Sequence, residues 1–320
     1  MNQILTQDLI LTDQSSTGRV RPWKENKIHN EYLSLVYDQI DVNKAERLRD
    51  CASALYFSVS PENTKKLAAA NFCRVRLCPM CQWRRSLKTV AQMRKIMAAV
   101  EADKPRAYLM LTLTVRNCQP DQLNELLDSG SSAFRKLIQY KRFQNAVQGW
   151  YRGTEITHNL TENTYHPHFH VVLAVDRNYF KDSRYIPHAE WVQLWKKAMR
   201  LDYDPNVDVR RVKGNDPESV SSAIAEVAKY TVKGSDYLIP DDWDLTVETV
   251  ALLDQVLNKR RFIGFGGIFK DWHKKLNLDD PDDGDLVHTD DEPPPSDLDP
   301  VVVYQWSTGY RQYVARFESN

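Results

Sequence analysis

Two histidines stand one residue apart in Tyr165-His166-Pro167-His168-Phe169-His170-Val171-Val172-Leu173-Ala174-Val175. β-Branched and aromatic residues without helical spacing predict a strand from His168 onward. Strand side chains alternate between faces, so His168 and His170 share one face while Phe169, Val171 and Leu173 take the other. Two imidazoles on one side of a rigid strand suit a metal ion. An earlier strand-like run, Trp150 to Thr157, carries Glu155, and the polar stretch 158–164 between the two runs predicts an antiparallel hairpin. Such a hairpin sets the Glu155 carboxylate beside the imidazoles, a Glu/His/His set with open positions for water or phosphate. His166 is a reserve ligand, its geometry left open by Pro167.

Four of the five cysteines form a second group: Cys51, Cys73, Cys78 and Cys81. A Cys-x2-Cys knuckle with two further thiols suits a tetrahedral structural Zn²⁺, with Cys51 the most distant in sequence. Cys118 stands apart as a half-buried thiol. The knuckle leads into an amphipathic helix, 82–97, with Trp83, Leu87, Val90, Met93 and Met97 on one stripe. Arg76, Arg84, Arg85 and Lys88 make its surroundings the candidate for contacts with a DNA backbone. Residues 62–95 hold nine Lys/Arg against one acid, Glu62, a patch that attracts polyanions.

A third candidate lies in Glu226-Val227-Ala228-Lys229-Tyr230-Thr231-Val232-Lys233. Asp216-Pro217 is a helix start and Gly234 a terminator, predicting a helix from Ser219 to about Lys233. Glu226 and Tyr230 are then neighbours on one face, with Lys233 close by.

The elements that must position these groups follow. Residues 1–30 read as a flexible arm and 31–50 as helix. Residues 107–116 form a strand, with Leu109, Leu111, Leu113 and Val115 facing one way and Thr112 and Thr114 the other. A helix over 121–147 breaks at Gly130, another covers 187–201 with Trp191, Leu194, Trp195 and Ala198 inward, and 207–212 is a short strand. A helical region spans 246–258, the glycines of 264–267 form a turn, and 301–306 is a terminal strand. The fold class is α+β: a central antiparallel sheet carrying the His-x-His site, flanked by helices, with an N-terminal zinc-binding element.

The 320 residues balance at 43 basic and 43 acidic side chains, yet residues 278–300 hold ten acids and no Lys or Arg, leaving 43 basic against 33 acidic elsewhere. No apolar run approaches the roughly 20 residues of a membrane span, and the first residues lack a signal peptide's pattern. The expectation is a cytoplasmic protein with no membrane partner.

In this order the motifs resemble those of the rolling-circle plasmid replication initiators, within the His–hydrophobic–His endonucleases. The likeness rests on Leu111-Thr112-Leu113-Thr114, His168-Phe169-His170 and Glu226-x3-Tyr230-x2-Lys233. The segment 71–86 is similar to the cysteine-rich region of one branch. The likeness covers about 45–275.

The resemblance implies a divalent metal, Mg²⁺ or Mn²⁺, at Glu155, His168 and His170. It implies Tyr230 as the nucleophile that nicks one origin strand, Glu226 as the base of termination, and Lys233 or Lys229 stabilising charge. Tyr237 follows seven residues on, beyond the Gly234 break, which implies a one-tyrosine enzyme. Plasmid origin DNA, a host helicase and a polymerase are the implied partners. The division is then an arm and helix start (1–45), a Cys-rich zinc-type DNA-binding element with its basic helix (46–100), a nicking–joining domain (101–277), an acidic linker (278–300) and a C-terminal strand on the body (301–320). A relaxase or transposase using the same chemistry, a non-catalytic zinc-dependent DNA-binding protein and a hydrolytic metal nuclease remain the alternatives.

Overall fold

The computed structural model describes residues 9–15, 18–61, 64–212, 223–228, 232–280, 282–289 and 299–316. The chain divides into two compact units. One comprises residues 1–88, 238–254 and 285–320, the other 89–237 and 255–284. Neither unit is continuous in sequence, since strands far apart in the chain pair with one another.

The second unit holds a five-stranded antiparallel sheet in the order β6-β3-β5-β4-β7. Its strands are β3 (Arg106–Leu113), β4 (Val147–Asn159), β5 (Thr164–Asp176), β6 (Val207–Arg211) and β7 (Ile263–Gly267). Alternation along β3 and β5 separates two faces. Leu109, Leu111, Leu113, Phe169, Val171 and Leu173 pack on one face against α4 (Leu123–Leu137), α5 (Lys141–Ala146) and α6 (His188–Met199). Tyr108, Tyr151, Val172 and Ala174 pack on the other, against Met93, Ile96, Met97 and Val100 from α3 (Pro79–Asp103). Ile224 and Val227 from the helical residues 223–227 (α7), and Phe269 from α9 (Ile268–Lys275), complete that layer. His168 and His170 lie on this second face.

The first unit holds a four-stranded antiparallel sheet, β2-β1-β8-β9. Its members are β1 (Ala54–Val59), β2 (Lys65–Ala70), β8 (Val301–Ser307) and β9 (Gln312–Arg316). The helices α1 (Trp23–Tyr37), α2 (Val42–Asp50) and most of α8 (Trp243–Leu257) belong to it. Asp254 ties α8 to both others, accepting from Tyr37 Oη and Lys44 Nζ, each at 2.6 Å. Trp23 meets Trp83 and Phe57 edge to face at 4.7 and 6.1 Å. The single central sheet expected from the sequence is therefore two.

Several other expectations change. Residues 23–30, expected in the arm, belong to α1, whose inward face includes the polar Asn26, Lys27 and Asn30, so its hydropathy carries no helical stripe; residues 1–8 and 16–17 lie outside the described residues. The 121–147 helix breaks at 138–140 rather than at Gly130. Gly130 instead admits the Phe169 ring, which would stand 3.3 Å from a β-carbon there. The glycines of 264–267 are strand β7, not a turn, because Trp150 lies across them: a β-carbon at Gly266 would fall 2.5 Å from the indole. In the acidic stretch 278–300, Asp282, Leu286 and Thr289 are buried, while 281 and 290–298 lie outside the described residues.

Candidate functional site

The β4–β5 pair is an antiparallel hairpin, with Glu155 directly opposite His168. Thr112 on β3 stands opposite His170 from the other side. His170 Nε2 lies 2.9 Å and His168 Nε2 3.3 Å from Glu155 Oε2. The remaining ring nitrogens are engaged outward: His168 Nδ1 is 3.1 Å from the His166 carbonyl, and His170 Nδ1 is 3.3 Å from Thr112 Oγ1. A carbonyl can only accept, so His168 donates through Nδ1, the outward hydrogen bond that a metal-ligating histidine makes. The three ligand atoms lie within 4.8 Å of one another, a spacing that could hold a metal ion. His166 contributes a carbonyl to this arrangement rather than a ligand nitrogen.

Lys233 reaches the same carboxylate, its Nζ 2.9 Å from Glu155 Oε1. Burial works against the Glu155 charge, but hydrogen bonds from His168, His170 and Lys233 outweigh it and hold the carboxyl well below the usual carboxylate range. The hydrogen bond to Glu155, with the charges of Glu155, Asp236 and Glu226, raises the Lys233 ammonium in turn. The segment bearing Lys233 departs from the expected continuous helix. Residues 223–227 are helical, whereas Lys233 is extended and precedes a 3-10 turn at Gly234–Asp236. Asp236, which the sequence reading passed over, accepts the Lys233 backbone N–H at 3.3 Å. Its carbonyl meets His158 Nδ1 at 3.1 Å, fixing the turn against β4. The Lys-Gly-Ser-Asp spacing of a capping turn was the available signal.

Gly153, also passed over, sets the distance of α7 from the sheet: a β-carbon there would fall 2.2 Å from the Val227 carbonyl. Glu226 sits half-buried on α7. Lys229 and Tyr230 lie outside the described residues. Tyr237 is 1% exposed.

The second cluster is equally compact. Cys51 Sγ lies 3.6 Å from Cys78 Sγ and 3.7 Å from Cys81 Sγ, and Cys73 Sγ is 3.7 Å from Cys81 Sγ. Four thiolates at Zn–S distances of about 2.3 Å around a tetrahedral ion stand about 3.8 Å apart, so these residues fit such an ion. All four thiols are buried. Backbone N–H groups of Cys73, Arg74 and Cys81 point at the sulfurs of Cys51, Cys81 and Cys78 at 3.2–3.4 Å. Cys81, although burial opposes its charge, is held below the ordinary thiol range by hydrogen bonds from the other three thiols and by Arg85. Cys118 lies outside this group, buried beside Tyr165, and burial pushes its thiol up to about 11.

The basic helix departs from its expected role. Arg84 is 2% exposed and donates to the carbonyls of Leu286 and Val287 at 2.9 and 2.6 Å. Lys88 donates to Asp285 O at 2.9 Å. Both are held inward by backbone carbonyls of the 285–287 segment. Arg76 and Arg85 are half-buried and remain nearer the solvent.

Among the described residues, no helix is long and apolar enough to cross a membrane. The profile of a replication protein family matches residues 64–314. A protein named "Protein rep" from Bacillus amyloliquefaciens is 41% identical, covering 96% of this chain and 97% of that one. Proteins of the same name from Lactiplantibacillus plantarum and Streptococcus pneumoniae are 39% and 32% identical, covering 88% and 97% of this chain and 90% and 97% of theirs. No solved structure matches.

Proposed function

Because the chain belongs to the replication protein family, the plasmid rolling-circle initiators, we propose that it nicks one strand of its plasmid origin by tyrosine transesterification. The observation that carries this reading is the carboxylate of Glu155 gathered with His168, His170 and Lys233 on one sheet face. Mg²⁺ or Mn²⁺ bound there supplies Lewis-acid polarisation of a phosphodiester. Glu155 is ionised without external help and can serve as a ligand at neutral pH. Lys233 places a positive charge where phosphoryl transfer accumulates negative charge.

Tyr230 is the nucleophile, assigned from the order of motifs in the sequence. Its oxygen forms a bond to phosphorus, the bond to the 3′ oxygen breaks, and the phenolic proton is balanced by one taken up at the new 3′ hydroxyl. That hydroxyl primes a polymerase, while the 5′ phosphate stays joined to the protein. A tyrosine hydroxyl with a pKa near 10 is a poor nucleophile unaided, so the cationic site is required. Glu226, on the helix beside Gly153, activates water to release the product after one round. The nick site is single-stranded or extruded to reach the tyrosine.

The four cysteines hold a structural Zn²⁺, and the surrounding basic residues, Arg76 and Arg85 foremost, contact the origin backbone. Host helicase and polymerase act on the product. The protein works in the cytoplasm, where the plasmid is.

Incubation with a supercoiled origin plasmid and Mn²⁺ or Mg²⁺, read on a denaturing gel, tests the reading. A DNA-linked protein band is expected for the wild type and none for Tyr230→Phe. Cleavage without a linked band would replace transesterification by hydrolysis, and binding without cleavage would leave a non-catalytic zinc protein.

A further inference from the structure

Asn30 lies on α1, is fully buried, and places Oδ1 3.2 Å from Cys78 Sγ. In that sense the thiol donates and the amide accepts, leaving Asn30 Nδ2 buried with no partner among the described residues. A buried amide N–H without an acceptor is costly and rarely tolerated. A thiolate reverses the roles, since it can only accept. The two ends of an amide are nearly equal in shape, and turning it by half a revolution puts Nδ2 against the sulfur. The donor then meets the metal-bound form of the cluster, and the amide oxygen takes the vacated position, where an unpaired carbonyl is better tolerated than an unpaired N–H.

One turn earlier on the same helix, Lys27 is 1% exposed. Its Nζ donates to the carbonyl of Arg49 at 2.5 Å and to that of the ligand Cys51 at 2.8 Å. Arg47 donates to the carbonyl of Cys73 in the same manner. A divalent ion with four thiolates carries a twofold negative charge in a buried place, and a buried charge persists only when compensated. Both cations reach the cluster through the backbone of its own ligands.

We propose that Asn30 and Lys27 form the outer shell of the four-cysteine metal site, Asn30 donating an N–H to the Cys78 thiolate and Lys27 offsetting the cluster's charge. The inference rests on the reading of these cysteines as a metal site. It makes α1 an integral part of the metal-binding element, although the sequence places α1 in an arm apart from it. Outer-shell partners of this kind are worth about 10–100-fold in metal affinity.

The test uses the full chain, with zinc affinity measured by competition against a chromogenic chelator and the Co²⁺ form followed by absorption. Asn30→Asp keeps the size and the acceptor but removes the donor. It should weaken zinc binding about 10–100-fold and move the thiolate-to-cobalt band to longer wavelength. Lys27→Met should weaken zinc to a similar extent. Unchanged or tighter zinc binding by Asn30→Asp would overturn the donor role, and wild-type affinity in Lys27→Met would overturn the charge role. Should Lys27→Met fail to fold, the near-isosteric Asn30→Asp still decides. A wild-type chain that takes up neither zinc nor cobalt would instead sink the four-cysteine reading itself, a distinct result.

Discussion

Glu155 concentrates the chemistry of the second unit in one side chain. It is buried, bridges two imidazoles and an ammonium, and stays ionised far into the acid range. A carboxyl whose folded-state pKa is depressed stabilises the fold fully above its unfolded value of about 4.3 and loses that contribution as pH falls toward the folded value. In chelator-treated protein, stability below about pH 4 should therefore decline more steeply in the wild type than in Glu155→Gln, by up to about 1.4 kcal/mol per pH unit. Acid-limb thermal melts of the two proteins check this. The same substitution should cut metal-dependent nicking by at least about 100-fold, beyond what an outer-shell change costs. Equal acid limbs would show that the carboxylate is not held by these partners. The residues of this site were readable because a strand's period of two turns the spacing His-x-His into a shared face. Asn30 and Asp236 were not, since their roles depend on partners brought near by pairing across the chain.

Elements were legible where pattern and burial agree. β3, β4 and β5 announce themselves through alternating apolar residues, and α6 through Trp191, Trp195 and Ala198. The strands β1 and β2 were missed. Lys65-Lys66-Leu67-Ala68-Ala69-Ala70 has little β propensity, and only antiparallel pairing with β1 makes it a strand. Strand β7 was missed for the opposite reason, since its glycines are the space that Trp150 fills. Gly153 carries the sharpest consequence at this scale. Its missing side chain lets the Val227 carbonyl approach the sheet, so α7 lies directly over β4 beside Glu155. Gly153→Ala should push α7 outward, costing about 1–3 kcal/mol as overpacking does, and should lower nicking while zinc content and origin binding persist. Gly234→Ala, where nothing stands within 4 Å of a β-carbon, is the control expected to leave the melting temperature nearly unchanged. A Gly153→Ala protein with wild-type nicking and stability would mean that the contact yields freely.

At the scale of the whole chain, the arrangement of the first unit explains why its boundaries escaped a linear reading. β1 follows Cys51 by a few residues, yet its partner β8 begins at Val301, so the sheet closes across most of the sequence. Tyr313 on β9 completes the link, its hydroxyl donating to the Ala52 carbonyl at 2.7 Å, one residue past the cysteine. Trp306 Nε1 donates to Glu31 on α1 at 2.6 Å. The C-terminal hairpin thus braces the segment that carries Cys51 and the helix that carries Asn30. Because structural zinc contributes roughly 10–16 kcal/mol in small metal-folded domains, whatever weakens the preformed thiol geometry weakens binding in proportion. A chain ending at residue 298 removes β8 and β9 and leaves the β1 edge open, a template for association. Such a truncation should hold zinc at least about 10-fold less tightly, on the scale of losing supporting contacts, and should elute as aggregates on size exclusion. Full zinc stoichiometry and affinity in a monodisperse truncated protein would show that the cysteine element closes without its C-terminal strands. The sequence predicts a strand there that packs on the body; the pairing with β1 gives that strand its place beside the segment that carries Cys51.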